Sequence, residues 1–188
     1  MLIQTLGIFL FGGSHLFATL FPAVRNRLKA WVGEAKYKGV YAMISLVGLI
    51  FIGWGYVLTR NDGIYLYQPV VWAKHATMVL VLLAFICLSL GKGKSHLRLY
   101  LQNPFSIGIS LWAVGHLLAN GKFPVVMIAS TMLVIAVFDI VFSMLRKDWV
   151  VFEPKWREDL KAVVIGAVLY GVFLLVFHPY ILGVRIVG

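Results

Sequence analysis

The chain has 188 residues, of which 61% are hydrophobic and 13% are charged. Soluble domains are nearer half apolar and a quarter charged, so the composition excludes an ordinary soluble protein and predicts an integral membrane protein. The single cysteine, Cys87, excludes a disulfide framework. The net charge of +10 is explained by basic residues that flank apolar segments, and nucleic-acid binding is not expected.

Six apolar segments follow one another along the chain, and each can cross a bilayer only as a helix, because lipid offers no partner for unpaired backbone groups. They are residues 2–21, 37–58, 70–90, 104–119, 123–145 and 160–177. The first has no basic stretch before it and is of spanning length, so we interpret it as an uncleaved span. The sequence therefore predicts an all-α polytopic helix bundle of about six transmembrane helices, forming a single domain over residues 1–188.

Lysine and arginine are concentrated in three of the loops between these segments. Of the 17 basic residues, 13 lie after segments one, three and five, and 4, including Arg185, lie on the other side. Basic loops face the cytoplasm, so we expect both termini on the outer side, which is the periplasm if the bilayer is a bacterial inner membrane. The first basic loop, residues 25–38, also predicts a short amphipathic helix at the surface.

The stretch at residues 103–121, NPFSIGISLWAVGHLLANG, contains only one ionisable side chain, His116. Pro104 is suited to the first turn of a helix. Gly121 is suited to the left-handed conformation that ends one. A histidine within a membrane span is costly to bury without a partner, so His116 is the first candidate functional residue.

The helix face that carries His116 has two further features. Trp112 lies one turn before the histidine, and Gly108 lies two turns before it. We therefore expect an aromatic wall and a flat notch beside one nitrogen ligand, with Trp112 and Gly108 contacting a cofactor.

Three histidines, His15, His75 and His116, lie within three different spans. Imidazoles in a helix bundle commonly hold haem iron, and the lack of a CxxCH motif would make such a haem b-type. Zinc is less favoured, because one cysteine and few carboxylates leave a tetrahedral site short of ligands. The residue pattern alone does not distinguish haem, another metal, a proton relay or packing. By depth in the membrane, His75 matches His116 better than His15 does.

Segments five and six contain further polar or small residues. Asp139 is expected to pair with a polar neighbour. Pro179, directly after His178, is expected to stop the last helix. The small residues at positions 162, 166, 167 and 171 predict close helix packing. Among these we expect replacement of Gly171 by leucine to disrupt the fold.

Several of these stretches resemble the NnrU family of bacterial membrane proteins. The resemblance is carried by His15, by GEAKYKGVY at residues 33–41, by QPVVWAKH at residues 68–75, by the stretch at residues 103–121, and by Asp139. It spans nearly the whole chain, and LWAVGHLLANG is its most specific part. Membership implies an association with denitrification, specifically with nitrite and nitric oxide reduction.

NnrU proteins are in turn similar to plant zeta-carotene isomerase, a membrane haem b enzyme. By this resemblance, the two haem-ligating histidines of the plant enzyme match His15 and His116. The chain departs from the plant pattern at Asn103, where the plant has histidine, and at Ala113, where it has a cysteine that is an alternative iron ligand. The resemblance therefore implies haem b binding more directly than isomerase activity.

Three functions are compatible with the sequence. The first is a haem b membrane protein of nitrite and nitric oxide metabolism, with His15 and His116 as iron ligands and His75 as a third candidate. Its partners would be the lipid bilayer and other membrane redox proteins. The second is a cis–trans isomerase of a long polyene. The third is a non-catalytic assembly or anchoring protein whose histidines only pack.

Overall fold

The structure is a computed structural model that describes residues 1–184 and 186. Over these residues the chain is an all-α helix bundle, as the sequence predicts. The helices are α1 (Leu2–Leu20), α2 (Pro22–Val32), α3 (Glu34–Thr59), α4 (Ala73–Ser89), α5 (His96–Leu101), α6 (Pro104–Ala119), α7 (Phe123–Leu145) and α8 (Trp156–Val172), which continues as a π-helix (Phe173–Ile181). Arg185, which contributes to the basic-residue count of the outer side, lies outside the described residues.

The prediction of about six membrane spans is confirmed. Four helices are long and apolar enough to cross a bilayer: α1, α3, α7, and α8 with its π-helical end. The shorter helices α4 and α6 are apolar as well, with 17 and 16 residues. Many of the large apolar side chains on these helices are exposed, as expected of helices whose outer faces contact lipid.

Two helices, α2 and the last described helix, differ from their predicted boundaries. The surface helix α2 spans Pro22–Val32 and stops at Gly33, whose φ of 90° ends the helix. The prediction that Pro179 stops the last helix is wrong, because the helix continues to Ile181 with Pro179 inside its π-helical part. Neighbouring π turns and other local adjustments are known to accommodate proline within membrane helices.

The spanning helices pack in a row. The most extensive contacts join α3 to α1, α1 to α7, α7 to α6, α6 to α4, and α4 to α8. Helices α3 and α8 therefore lie at the two ends of the row, and α8, the last helix of the chain, packs on α4.

Glycine lets α1 and α3 approach closely. A Cβ added at Gly48 would lie 2.7 Å from the backbone nitrogen of Phe11. About two turns away, where a Cβ added at Gly55 would lie 2.5 Å from the backbone nitrogen of Gln4, the buried Gln4 donates from Nε2 to the Pro124 carbonyl oxygen at 2.6 Å, and its Oε1 accepts a hydrogen bond from Thr59 at 3.2 Å. One polar side chain thus links α1, α3 and α7, in a membrane interface that small residues otherwise dominate.

The contact between α8 and α4 depends on Gly166 and not on Gly171. A Cβ at Gly166 would lie 2.7 Å from the Cα of Ile86, whereas a Cβ at Gly171 would meet no heavy atom within 4 Å. The expectation that Gly171 is a close-packing position is therefore wrong. Of the pairs of small residues four apart, Ala162/Gly166 and Ala167/Gly171, the first faces the neighbouring helix, and Ala162 is 2% exposed.

Candidate functional site

A cavity of about 520 Å³ lies at the end of the bundle where α4 begins and α6 ends. Helix α4, helix α6 and the π-helical end form its walls, and α3 and α7 contribute smaller parts. Most of the lining is aliphatic or aromatic, with aromatic side chains at Trp112, Tyr170, Phe173 and Phe177. We call this space the His116 cavity, because the histidine singled out in the sequence forms part of its wall.

His116 is held by its own helix. Its Nδ1 lies 2.8 Å from the carbonyl oxygen of Trp112, and the two ring centres are 4.1 Å apart. A hydrogen bond to a carbonyl requires a proton on Nδ1, which leaves Nε2 as the nitrogen with a free lone pair. The predicted aromatic wall is thus present at Trp112, beside His116, and both residues line the cavity.

The opposite wall carries a second imidazole, which the sequence analysis treated only as the end of a helix. The ring of His178 lies 6.4 Å from that of His116 between centres, and the two planes are 22° apart. Its Nδ1 lies 2.8 Å from the carbonyl oxygen of Phe173, five residues earlier. Both histidines lie near the same end of their spans, so a depth comparison that included His178 would have paired them.

The other predicted ligand, His15, is not part of this cavity. Its Nδ1 lies 2.8 Å from the carbonyl oxygen of Phe11, whose ring stacks on it at 4.2 Å, and the ring of Tyr41 on α3 is 5.4 Å away. The structure therefore places His15 in a contact between α1 and α3, and His116 in a wall formed with α4 and α8. The assignment of His15 as an iron ligand stays a prediction from resemblance.

His75 also lies outside the cavity lining. It is exposed in the first turn of α4, whereas its neighbour Lys74 contributes to the rim of the cavity. His75 and His116 were predicted to lie at similar depths in the membrane, but only His116 lines the cavity.

Two of the three glycines in the stretch at residues 103–121, Gly108 and Gly121, serve packing. A Cβ at Gly108 would lie 2.9 Å from the Ala84 carbonyl oxygen, so Gly108 brings α6 against α4 and does not line the cavity. The prediction that Gly121 is a left-handed helix end is wrong: α6 ends at Ala119, before the extended Asn120. Glycine is required at position 121 because a Cβ there would collide with the carbonyl group of Tyr67.

The loop between α3 and α4 fixes the end of α6 next to His116. The hydroxyl group of Tyr67 donates to the carbonyl oxygen of Leu117, and the backbone N–H of Leu66 donates to that of Gly121 at 2.8 Å. Partial desolvation raises the pKa of Tyr67 above its usual range. The last turn of α6 is thus held from outside the helix.

Asp139 lies in a separate polar cluster near the other end of α6. Its Oδ2 accepts hydrogen bonds from Asn103 Nδ2 at 2.9 Å and from Ser106 Oγ at 2.6 Å. The expected pairing of Asp139 with a polar neighbour is confirmed. Asn103, one of the departures from the plant pattern, also caps the start of α6, because its side-chain oxygen accepts from the Ser106 backbone.

The family model described as NnrU protein matches residues 3–186 of the chain. A comparison with curated proteins and a comparison with solved structures both found no match. Because the family match covers nearly the entire sequence, the chain belongs to the NnrU family, and the resemblance on which the sequence analysis relied is confirmed.

Proposed function

We propose that this NnrU-family protein is an integral membrane haem b protein, with the porphyrin in the His116 cavity and His116 as an iron ligand. The observation that carries the proposal is the His116 ring itself. Its Nδ1 is committed to the Trp112 carbonyl at 2.8 Å, and the ring lies in the wall of a cavity of about 520 Å³. A carbonyl-bound Nδ1 is the usual support of a histidine that ligates metal through Nε2.

The remaining lining suits a flat, largely apolar group with acidic edges. Trp112 and Phe173 provide aromatic surface, while Lys74 and Asn120 supply a cation and an amide at the rim. The volume falls within the range of about 300–1,000 Å³ that is typical of small-molecule and cofactor sites. Bound at this position, haem iron would supply one-electron redox chemistry or the binding of a small gas.

The chain's own residues would do four things for such a group. His116 would bind the iron, Trp112 would fix the orientation of that imidazole, and the apolar walls would exclude water. Lys74 would pair with a carboxylate at the rim. Each role follows from the position of the residue in the lining of the His116 cavity, at the end of the bundle where α4 begins and α6 ends.

We place this site in nitrite and nitric oxide metabolism. The support is the family resemblance together with an apolar cavity, since nitric oxide is a small gas that partitions into lipid. The family supports a bacterial inner membrane protein, and the distribution of basic residues supports an orientation in which the termini and the cavity face the periplasm. Other membrane redox proteins are the proposed electron partners.

Isomerisation of a long polyene is the second candidate, because a mostly apolar cavity would also accept such a molecule. The position that matches the alternative cysteine ligand of the plant enzyme is Ala113. That residue is fully buried and does not line the cavity. A switch of iron ligands at this position is therefore not supported. A purely anchoring role, the third candidate, would leave the two imidazoles of the cavity without a ligand.

Absorption spectroscopy of the purified protein tests the proposal. Protein made with excess haem and purified in detergent should show a Soret band, and His116→Ala should lose most of it. His96→Ala is the matched control. His96 begins the short helix α5, pairs with Asp159 at 2.8 Å and does not line the His116 cavity. Folded wild-type protein with no bound haem would contradict the proposal and favour the anchoring role.

A further inference from the structure

We infer that His178, on the π-helical end of α8, is the second imidazole on the iron that His116 holds. The inference rests on the proposed function and names the residue opposite His116. It differs from the pair that family resemblance implies, in which His15 has this role.

The separation of the two rings matches that of two imidazoles on one metal ion. A metal–imidazole bond is about 2.0–2.1 Å long and the ring nitrogen lies about 1 Å from the ring centre, so two such rings have centres about 6 Å apart. The observed distance between the centres of His116 and His178 is 6.4 Å, with the planes 22° apart. Within the described residues, no hydrogen bond joins the two rings directly.

Each ring is also turned so that the same nitrogen is free. The Nδ1 atoms of His116 and His178 lie 2.8 Å from the carbonyl oxygens of Trp112 and Phe173 respectively. Both imidazoles therefore keep the Nδ1–H tautomer and offer the Nε2 lone pair. Support of a ligating histidine through its other ring nitrogen is a general feature of metal sites.

The donor set favours haem over a single metal ion. Zinc in a structural site needs four protein ligands and in a catalytic site three. Among the described residues, no group of three or more His, Cys, Asp or Glu side chains is assembled for a metal. Two imidazoles complete the coordination of a six-coordinate ion that already has four other donors, and a porphyrin provides four.

The π-helix accounts for the position of His178. The Nδ1 of His178 binds a carbonyl five residues back, whereas His116, in an α-helix, binds one four residues back. A π turn is rare and is frequently found at functional sites. Here the turn begins at Phe173, and both Phe173 and Phe177 join His178 in the cavity lining.

His15 and His75, the two histidines predicted from the sequence as partners of His116, lack this arrangement. His15 stacks on Phe11 and faces Tyr41 between α1 and α3. His75 is exposed at the start of α4. Neither is part of the cavity wall that carries His116.

Electron paramagnetic resonance and absorption spectra of haem-loaded protein in detergent test the inference. The wild-type protein should be low-spin with six-coordinate iron. His178→Ala should be high-spin, should lose haem about tenfold more readily, and should return to low-spin when free imidazole is added. His15→Ala and His75→Ala are the matched controls and should stay low-spin. His178→Gln provides a second variant of similar size if the alanine variant does not fold.

The outcomes separate the inference from the proposed function. Wild-type protein that is folded but binds no haem overturns the proposed function and the inference together. A low-spin spectrum that survives in His178→Ala and is lost in His15→Ala overturns the inference and the placement of the porphyrin in the His116 cavity, whereas haem binding through His116 stands, with the pair implied by resemblance. A high-spin wild-type spectrum overturns only the inference, because the iron then has a single imidazole.

Discussion

The guanidinium group of Arg60 donates a hydrogen bond to the carbonyl oxygen of Leu182, with an Nη1···O distance of 2.6 Å. Arg60 follows α3, which lies at one end of the helix row, and Leu182 follows the π-helix, which lies at the other end. Leu182 also lines the His116 cavity. This hydrogen bond therefore joins the two ends of the row across the cavity.

Replacing Arg60 by alanine should loosen the chain that follows the π-helix. A hydrogen bond from a charged donor contributes about 1.5–3 kcal/mol, so the local opening of residues 182–184 should become markedly easier. Hydrogen exchange measured by mass spectrometry should show faster exchange there. Arg27→Ala, at an exposed position on α2, should leave it unchanged. Equal exchange in the two variants would show that the Arg60 contact does not hold this segment.

Two glycine variants test how α8 packs. Gly166→Leu should overpack the contact with Ile86, at a cost of about 1–3 kcal/mol or more, because the added Cβ alone would lie 2.7 Å from its Cα. Gly171→Leu, one and a half turns later, enters open space and should be tolerated. The measurement is the yield of monodisperse protein and its melting temperature in detergent. A larger loss at Gly171 would contradict the packing described above.

Asp139 should stabilise the junction of α6 and α7. Asp139→Leu leaves Asn103 and Ser106 without their acceptor, which should cost about 1–2 kcal/mol in a membrane protein. Asp139→Asn should cost less, because it retains an acceptor oxygen. Ser110→Ala is the control, since its hydroxyl bonds only the Ser106 carbonyl of its own helix. Unfolding titrations in mixed micelles would measure these differences, and equal midpoints for Asp139→Leu and Ser110→Ala would refute the prediction.

The orientation in the membrane is tested by reporter fusions. With both termini outside, alkaline phosphatase fused to either terminus should be active, and a fluorescent protein that matures only in the cytoplasm should be dark. The physical reason is the excess of lysine and arginine in the loops after segments one, three and five. The reverse pattern at both termini would invert the topology and place the His116 cavity near the cytoplasmic face.

The spans could be predicted from the sequence because each is a continuous apolar run. The predicted limits of α6 and α7, 104–119 and 123–145, agree with the structure. Helix α5 was missed because it is only six residues long and its start is held from far along the chain. The carboxylate of Asp159 accepts the backbone N–H groups of His96 and Leu97 at 3.0 and 2.9 Å. The support from Asp159 leaves no local pattern, and the one local signal is Ser95, whose hydroxyl caps α5 by accepting the backbone N–H of Arg98 at 3.0 Å.

The candidate site could be predicted only on one side. His116 and Trp112 lie one helical turn apart, so helix periodicity alone placed them together. His178 was missed because a π-helix has no sequence signature and because Pro179 favours the end of a helix. Gly121 was predicted to end α6 in a left-handed conformation, but the helix ends before the extended Asn120. The actual reason for glycine, the close approach of the Tyr67 carbonyl group, depends on the tertiary structure and has no local pattern.

The position of α8 in the row also constrains how the protein is made. α8 leaves the ribosome after the other seven described helices, and it packs on α4, which is synthesised many residues earlier. Until it is inserted, the His116 cavity lacks the wall that carries Phe173 and His178. A group that needs both walls can therefore be loaded only after α8 has been inserted, and a chain truncated before residue 156 would reach the membrane without the means to retain it.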